Sequence, residues 1–438
     1  MSELAAWFEL HRLAIWTVVL GAICNSACAI LGCYLVLRRM SMLGDAISHA
    51  ILPGIVVAFL FTGMLGSWPV FVGALVVGVL TAFLTQSLHG LGNVSEDSSM
   101  GVVFTSLFAL GVFLIRNFAD RVHLDADCAL YGQIDLIAFD RVVWGGLEFP
   151  RALFPMGLAL LAAIVFVICF WKELKLVSFD PALATAMGIS AGVMHYLLMA
   201  MVAAVTVAAF EAVGSILVIA MLIVPGATAH LLTDRLWQMI VWSVVIAVLS
   251  AVLGYWGAVA WNTSVAGMMC VAAGAQFALA VVLAPRHGLL GKAIQRLQLS
   301  LRIVGEDLVA MLYRTEELAT TNAAPELHWR DCIRALGGGW VAWLSVPQLR
   351  LRGDVQITGS LIQLTDQGRR LAQSLVRSHR LWEAFLVKHF HLPLDHVHEP
   401  AERIEHYIGP QLQERLAAEL RDAGVDPHGR EIPPATRS

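Results

Sequence analysis

Apolar runs of membrane length, separated by short polar breaks, fill roughly the first two thirds of the chain. Leu13–Leu37 is long enough to cross a bilayer core, which takes about 20 helical residues. Similar runs follow at Ala46–Gly63, Pro69–Leu88, Ser99–Ile115, Ala152–Phe170, Gly192–Ala209, Val213–Leu232, Trp237–Tyr255 and Val265–Leu283, so the pattern predicts nine spans. Only Glu211 and its neighbours separate two of these runs, and a hairpin or broken helix there would give eight. After Pro285 the pattern shortens into amphipathic pieces. Helices are expected from Leu308 onward, with Glu306–Asp307 before it, and at Arg330–Leu336 and Ser345–Leu351. QITGSLIQLT reads as a β-hairpin turning at Gly359–Ser360. A long helix is expected over Asp366–His389, with Leu371, Leu375, Leu381, Phe385 and Leu386 as its apolar positions and Pro393 beyond its end. Shorter helices follow at His398–Tyr407 and Pro410–Ala423. The expected fold class is an all-α polytopic membrane bundle of eight or nine transmembrane helices, followed by a mostly α domain with a degenerate winged-helix part.

Composition agrees: 58% of residues are apolar, 14% are charged and the mean hydropathy is +0.72, far from a soluble globular chain. Of the 29 Lys and Arg, ten precede Arg286 and the rest follow, which separates a membrane part from a soluble one. Arg38–Arg39 at the end of the first span suit a cytoplasmic boundary. With nine spans this puts the N-terminus outside and everything after Arg286 inside. The Arg116–Arg151 loop, with four arginines, then lies outside against that rule. No basic region with a short apolar stretch and cleavage site opens the chain, so no cleaved signal peptide is expected. Seven cysteines occur without a CxxC pair, and buried small residues account for them better than disulfides or metal ligands.

Three places in the membrane part carry chemistry. Asp45 and His49 lie four apart, on one helical face at the mouth of the second span. Such groups are costly in a membrane unless they face protein, water or an ion, and carboxylate plus imidazole suits Mn²⁺, Fe²⁺ or Zn²⁺. A helix cap with a packing hydrogen bond is the plainer alternative. Glu211 is a second translocation candidate, whereas Glu96–Asp97 fit better as a cap of the fourth span. In WKELKLVSFDPALATAMGIS, Asp180 followed by Pro181 is a helix start and Gly188 a stop, which predicts a two-turn helix between spans. It is either an ordinary connection or a docking element for a cytoplasmic partner. No GxxxxGK[ST] occurs, so nothing in this chain would cradle ATP phosphates.

The C-terminal part concentrates histidine: His379, His389, His391, His396, His398, His406 and His428. His379 and Glu383 are four apart on one predicted helix, and His398 and Glu402 on the next, where Glu402, Glu405 and His406 converge. Imidazole mixed with carboxylate suits a divalent first-row metal, and the lack of cysteine argues against a structural zinc. Solvated amphipathic helices would give the same spacing.

LRRMSMLGDAISHAILPG, EDSSMGVVFTSLFALGVFL, LVSFDPALATAMGI and EAVGSILVIAMLIVPGATA, in that order, resemble the manganese/zinc/iron permeases of ATP-binding-cassette importers. The resemblance spans about residues 10–286. It implies a non-enzymatic membrane subunit that pairs with a second permease copy or homologue. An extracytoplasmic binding protein would supply the metal and two cytoplasmic ATPases would drive transport. Phe179, Asp180, Pro181 and Gly188 would then mark the coupling helix that sits in the ATPase.

From Leu364 to Pro433, LTDQGRRLAQSLVRSHRLWEAFLVKHFHLPLDHVHEPAERIEHYIGPQLQERLAAEL with DPHGREIP behind it is similar to the metal-binding and dimerisation domain of the diphtheria-toxin-repressor family. The resemblance implies one site from His379, Glu383 and His398 and another from Glu402, Glu405 and His406, with Asp307 as the N-terminal helix ligand. Mn²⁺ or Fe²⁺ is the ion implied, with Zn²⁺ also suitable. Ala310 stands where the manganese type has its next acidic ligand. Where the family has a basic recognition helix, this chain has IRALGGGWVAWL. Triple glycine disfavours a helix, and Arg350, Arg352, Arg369 and Arg370, which could touch phosphates, fit a solvated face better, so nucleic acid is a disfavoured partner. The expected domains are 1–286 (permease), 287–363 (linker and degenerate winged helix) and 364–433 (metal-binding). Function reads as an ATP-driven metal importer's permease with a cytoplasmic metal-sensing domain. The alternative is a membrane-tethered, metal-responsive DNA-binding regulator.

Overall fold

The computed structural model describes residues 2–40, 42–63, 68–92, 94–118, 134, 141–144, 147–285, 287–319, 327–420 and 424–435. Most of the Arg116–Arg151 loop lies outside them. Two compact units divide the chain, Met1–Gly291 and Lys292–Ser438.

The first unit opens with α1 (Ser2–Leu37), α2 (Leu43–Ala50), α3 (Leu52–Thr62), α4 (Trp68–Gly92) and α5 (Glu96–Phe118). A short hairpin, β1 (Arg141–Trp144) with β2 (Leu147–Pro150), precedes α6 (Leu153–Cys169), α7 (Trp171–Phe179), α8 (Pro181–Ala186), α9 (Ala191–Leu232), α10 (Leu236–Trp261) and α11 (Val265–Leu283). Among the described residues eight helices are long and apolar enough to cross a membrane. A ninth results if α6 and α7, bent by 76°, form one span. The chain is a multi-pass membrane protein.

The core is built on α1, which packs mainly against α9 and α10. Cys24, Cys28, Leu31, Tyr34 and Leu35 are buried there beside Leu217, Met221 and Leu222 of α9. The approach is close enough that a Cβ on Gly32 would stand 1.8 Å from the Leu222 carbonyl oxygen. Without a hydrophobic drive between helices in lipid, such backbone proximity supplies the packing. α9 is 42 residues long but is interrupted at Gly214 (φ 76, ψ 166), a conformation that glycine adopts cheaply. The break expected near Glu211 therefore exists, and each piece is of span length. The Glu211 side chain lies outside the described residues. The cap of α5 is Ser95, whose Oγ accepts the Ser98 N–H at 3.3 Å. Glu96 and Asp97 instead occupy the first turn of α5.

The second unit is entered along α12 (Leu289–Leu318), which starts well before the Leu308 expected from sequence, while its buried residues lie from Gly305 onward. Next come β3 (Leu327–His328), α13 (Trp329–Ala335), α14 (Trp340–Arg352), β4 (Val355–Thr358) and β5 (Leu361–Leu364). The antiparallel sheet has the order β3-β5-β4, with Ile357 opposite Ile362. Leu308, Val309, Leu312, Ile333, Val346, Leu349 and Ile362 form the core of this winged-helix-like body. Gly337 and Gly338, both with positive φ, make the turn between α13 and α14. The triple glycine thus punctuates two helices, and α14 is longer than the Ser345–Leu351 helix expected. The remaining helices are α15 (Asp366–Phe390), α16 (His398–Ile404) and α17 (Pro410–Leu420), with a 3₁₀ turn at Glu405–Tyr407. Thr365 caps α15 by accepting the Gly368 N–H at 3.1 Å.

Candidate metal centres and transport contacts

α15 is long and strongly amphipathic, and its buried face carries His379 and Glu383 one turn apart. The start of α16 brings His398 to them. His379 Nε2, Glu383 Oε1 and His398 Nδ1 are each 3.0 Å from the other two. Two imidazoles and one carboxylate cannot place a linear hydrogen bond on every side of such a triangle. The spacing instead matches adjacent ligands of an octahedral ion bound at about 2.1 Å, so the donor set fits a divalent cation. Burial pushes the Glu383 carboxyl upward, but hydrogen bonds to His379 and His398 and the charge of His379 outweigh it and hold it at about 2.

A second group joins Asp307 of α12 to Glu405 and His406 of the 3₁₀ turn. His406 Nε2 stands 3.2 Å from Asp307 Oδ1, and its Nδ1 is 2.8 Å from Glu306 Oε2. Glu405 is buried, and its Oε2 lies 2.5 Å from His379 Nδ1, so a carboxylate of the second group touches His379 of the first. Burial disfavours charge on His406, yet hydrogen bonds to Asp307 and Glu306 and the fields of Asp307 and Glu405 raise it to about 10. A histidine raised above its unfolded value near 6.5 stabilises the fold fully below that value, and this stabilisation disappears as pH rises through about 10. In metal-free protein, amide exchange along α15 should therefore accelerate between about pH 6.5 and 10 beyond its intrinsic pH dependence. His406→Gln should remove that excess; identical profiles would contradict it.

A third group contains Glu383, Asp426 and His428. Asp426 Oδ1 accepts the N–H groups of His428 (2.9 Å) and Arg430 (2.8 Å), a turn that returns His428 Nδ1 to 3.6 Å from Glu383 Oε2. Sequence reasoning assigned no role to Asp426, His428 or Glu306; the DPHG segment was the available signal. Glu402 is exposed and stands outside all three groups.

In the membrane unit Asp45 and His49 pair on α2 at 3.3 Å, both partly exposed. The His49 ring faces Phe104 and Phe108 of α5, with centroids 6.3 and 6.1 Å away. At the other candidate element, Asp180 Oδ1 accepts the Leu183 N–H at 2.9 Å, Pro181 opens α8 and Gly188 (φ 84) follows it. Arg38 Nε donates to Ser178 Oγ at 3.1 Å, tying the end of α1 to the end of α7. Phe179, Leu183 and Met187 are exposed and apolar at four-residue spacing.

These features define a polytopic membrane transport subunit fused to a metal-binding domain. Residues 10–284 match the ABC 3 transport family, and the chain belongs to it. Residues 365–434 match the iron dependent repressor, metal binding and dimerisation domain. The manganese transport system membrane protein MntD of Bacillus subtilis is 44% identical over 285 residues, which cover 65% of this chain and 96% of MntD. The zinc transport system membrane protein TroD of Treponema pallidum is 37% identical over 362 residues, covering 82% of this chain and 97% of TroD. Among solved structures, PsaBC of Streptococcus pneumoniae in complex with a Fab has a TM-score of 0.55 at 30% identity, covering 65% of this chain and 97% of that one.

Proposed function

We propose that the chain passes a divalent first-row metal ion (manganese, iron or zinc) through the membrane and senses such an ion with its C-terminal unit. It is the membrane permease subunit of an ATP-binding-cassette metal importer with a cytoplasmic metal-sensing domain, and is itself not catalytic. The observation that carries the sensing role is the triangle of donor atoms at 3.0 Å on the same chain as a permease body. His379, Glu383 and His398 would hold one ion, with Asp426 and His428 beside them; Asp307, Glu405 and His406 would hold a second, with Glu402 at most peripheral. Asp45, His49 and Glu211 are the proposed translocation contacts. The domain limits 1–286, 287–363 and 364–433 serve as working boundaries.

The partners follow from the family: a cytoplasmic ATP-binding subunit, a second permease copy or homologue, and an extracytoplasmic metal-binding protein. The ATPase would receive Phe179, Leu183 and Met187. Losing an interface anchor of this kind costs more than about 1 kcal/mol, so Leu183→Glu with Met187→Glu should reduce ATPase co-purification by at least about 30-fold at unchanged membrane yield. Co-purification at the level of the unaltered protein would remove α8 from the interface.

The feedback reading is tested by uptake into vesicles holding the complete transporter, with Mn²⁺ preloaded on the side of the C-terminal unit. MntD aligns over 96% of its length to 65% of this chain, so a chain ending after Gly291 is a reasonable comparison. The full chain should slow as interior Mn²⁺ rises and the shortened chain should not. Equal response in both would sink the regulatory role. A DNA-binding reading is less well supported, because the outward face of α14 is apolar.

A further inference from the structure

α14 has two apolar faces where a solvated helix has one. Ala342, Ser345, Val346 and Leu349 are buried in the winged-helix core. On the opposite side Trp340 is 64% exposed, Trp343 48%, Leu344 48% and Leu351 88%, with Pro347 exposed between them. The spacing 340, 343, 344, 347, 351 is a continuous helical stripe. The Trp343 ring meets that of Trp329 edge-on at 4.9 Å, and the Arg330 guanidinium lies 5.5 Å from the Trp329 ring centre. From Trp329 to Arg352 the chain has four arginines and one acid, Asp331, which is bound to Arg334 at 2.6 Å. Among the described residues no carboxylate is paired with Arg330, Arg350 or Arg352.

We propose that this face of α14 docks on the anionic lipid surface of the bilayer that holds the chain. Tryptophan with an apolar stripe sits well at headgroup level, and flanking arginines are drawn to anionic lipid. Phosphate-directed arginine around an apolar centre does not suit DNA, whose backbone is met by polar and basic groups without a tryptophan stripe between them. The bilayer is also a permanent neighbour. Five residues separate the last span, α11, from α12, and the 30 residues of α12 extend about 45 Å. The winged-helix body is therefore tethered within reach of a membrane surface, where local concentration favours even weak contacts. The docking is independent of metal binding and of the transport reading.

The test places a photo-reactive benzoylphenylalanine at Trp343 in the full chain, in nanodiscs of phosphatidylcholine with or without phosphatidylglycerol. Adducts are identified by mass spectrometry with the ATPase subunit present. Phospholipid adducts should dominate in discs containing phosphatidylglycerol. Each arginine lost should weaken the lipid contact about fivefold, so Arg350→Gln with Arg352→Gln should lower the adduct yield about 25-fold or to background. Both arginines are exposed, and unchanged metal uptake in this variant would show that it folds. Adducts confined to the ATPase or to a second copy of the chain, or no adduct above background, would overturn the proposal. Equal lipid adducts with and without phosphatidylglycerol would overturn its anionic-lipid basis.

Discussion

Asp45→Ala or His49→Ala should lower metal uptake by at least about 100-fold while leaving the amount of protein in the membrane nearly unchanged. The two side chains lie 3.3 Å apart and keep about a third of their surface open, so they are paired without being sealed into the core. Charged and imidazole groups at a membrane span are costly unless they face protein, water or an ion, and a pair that meets an ion must be reachable. Even changes in groups that merely orient a metal ligand cost about 10–100-fold, and these two would be ligands themselves. The rings of Phe104 and Phe108 flank His49, so its position should survive removal of Asp45. Uptake of ⁵⁴Mn²⁺ over a range of concentrations would check this. Unaltered kinetics in both variants would leave the pair as a helix-stabilising contact only.

Metal binding at Asp307, Glu405 and His406 should release close to one proton from His406 per ion at neutral pH. His406 is raised to about 10, so it is protonated in the metal-free protein at pH 7, and imidazole must be neutral to coordinate. The sign is definite: affinity at this centre rises about tenfold per pH unit until the pH passes about 10. Calorimetry of the full chain with Mn²⁺ in buffers of different ionisation enthalpy would count the proton. His406→Ala should abolish both the proton and the binding at this centre, while Glu402→Ala should change little. Binding with no proton uptake by the buffer would remove His406 from the ligands.

The membrane architecture was largely legible because spans need unbroken apolar runs, and the break in α9 was legible because Glu211 and Gly214 interrupt one. The C-terminal unit was harder. The helix was expected from Leu308 because residues 289–302 are mostly exposed and show little buried periodicity, yet they form the first half of α12. Gly337–Gly339 argue correctly against a helix across themselves, but they hid the helix starting at Trp340. At the candidate site, His379 and Glu383 were readable from i, i+4 spacing on α15. The grouping of Glu402 with Glu405 and His406 assumed one uninterrupted α-helix. The chain tightens to 3₁₀ at Glu405–Tyr407, which changes the angle between successive side chains and leaves Glu402 in solvent. Asp426 and His428 reach Glu383 only through a turn after α17, which no local periodicity reports.

The contact between Glu405 Oε2 and His379 Nδ1 makes the two neighbouring centres interdependent. With that carboxylate holding the proton on Nδ1, Nε2 is left as the one lone pair His379 can offer to an ion shared with Glu383 and His398. A carboxylate behind an imidazole also makes it a better donor. Trimming Glu405 to glutamine would thus disturb both centres at once: one by losing a candidate ligand atom, the other by freeing the ring to turn or to exchange its tautomer.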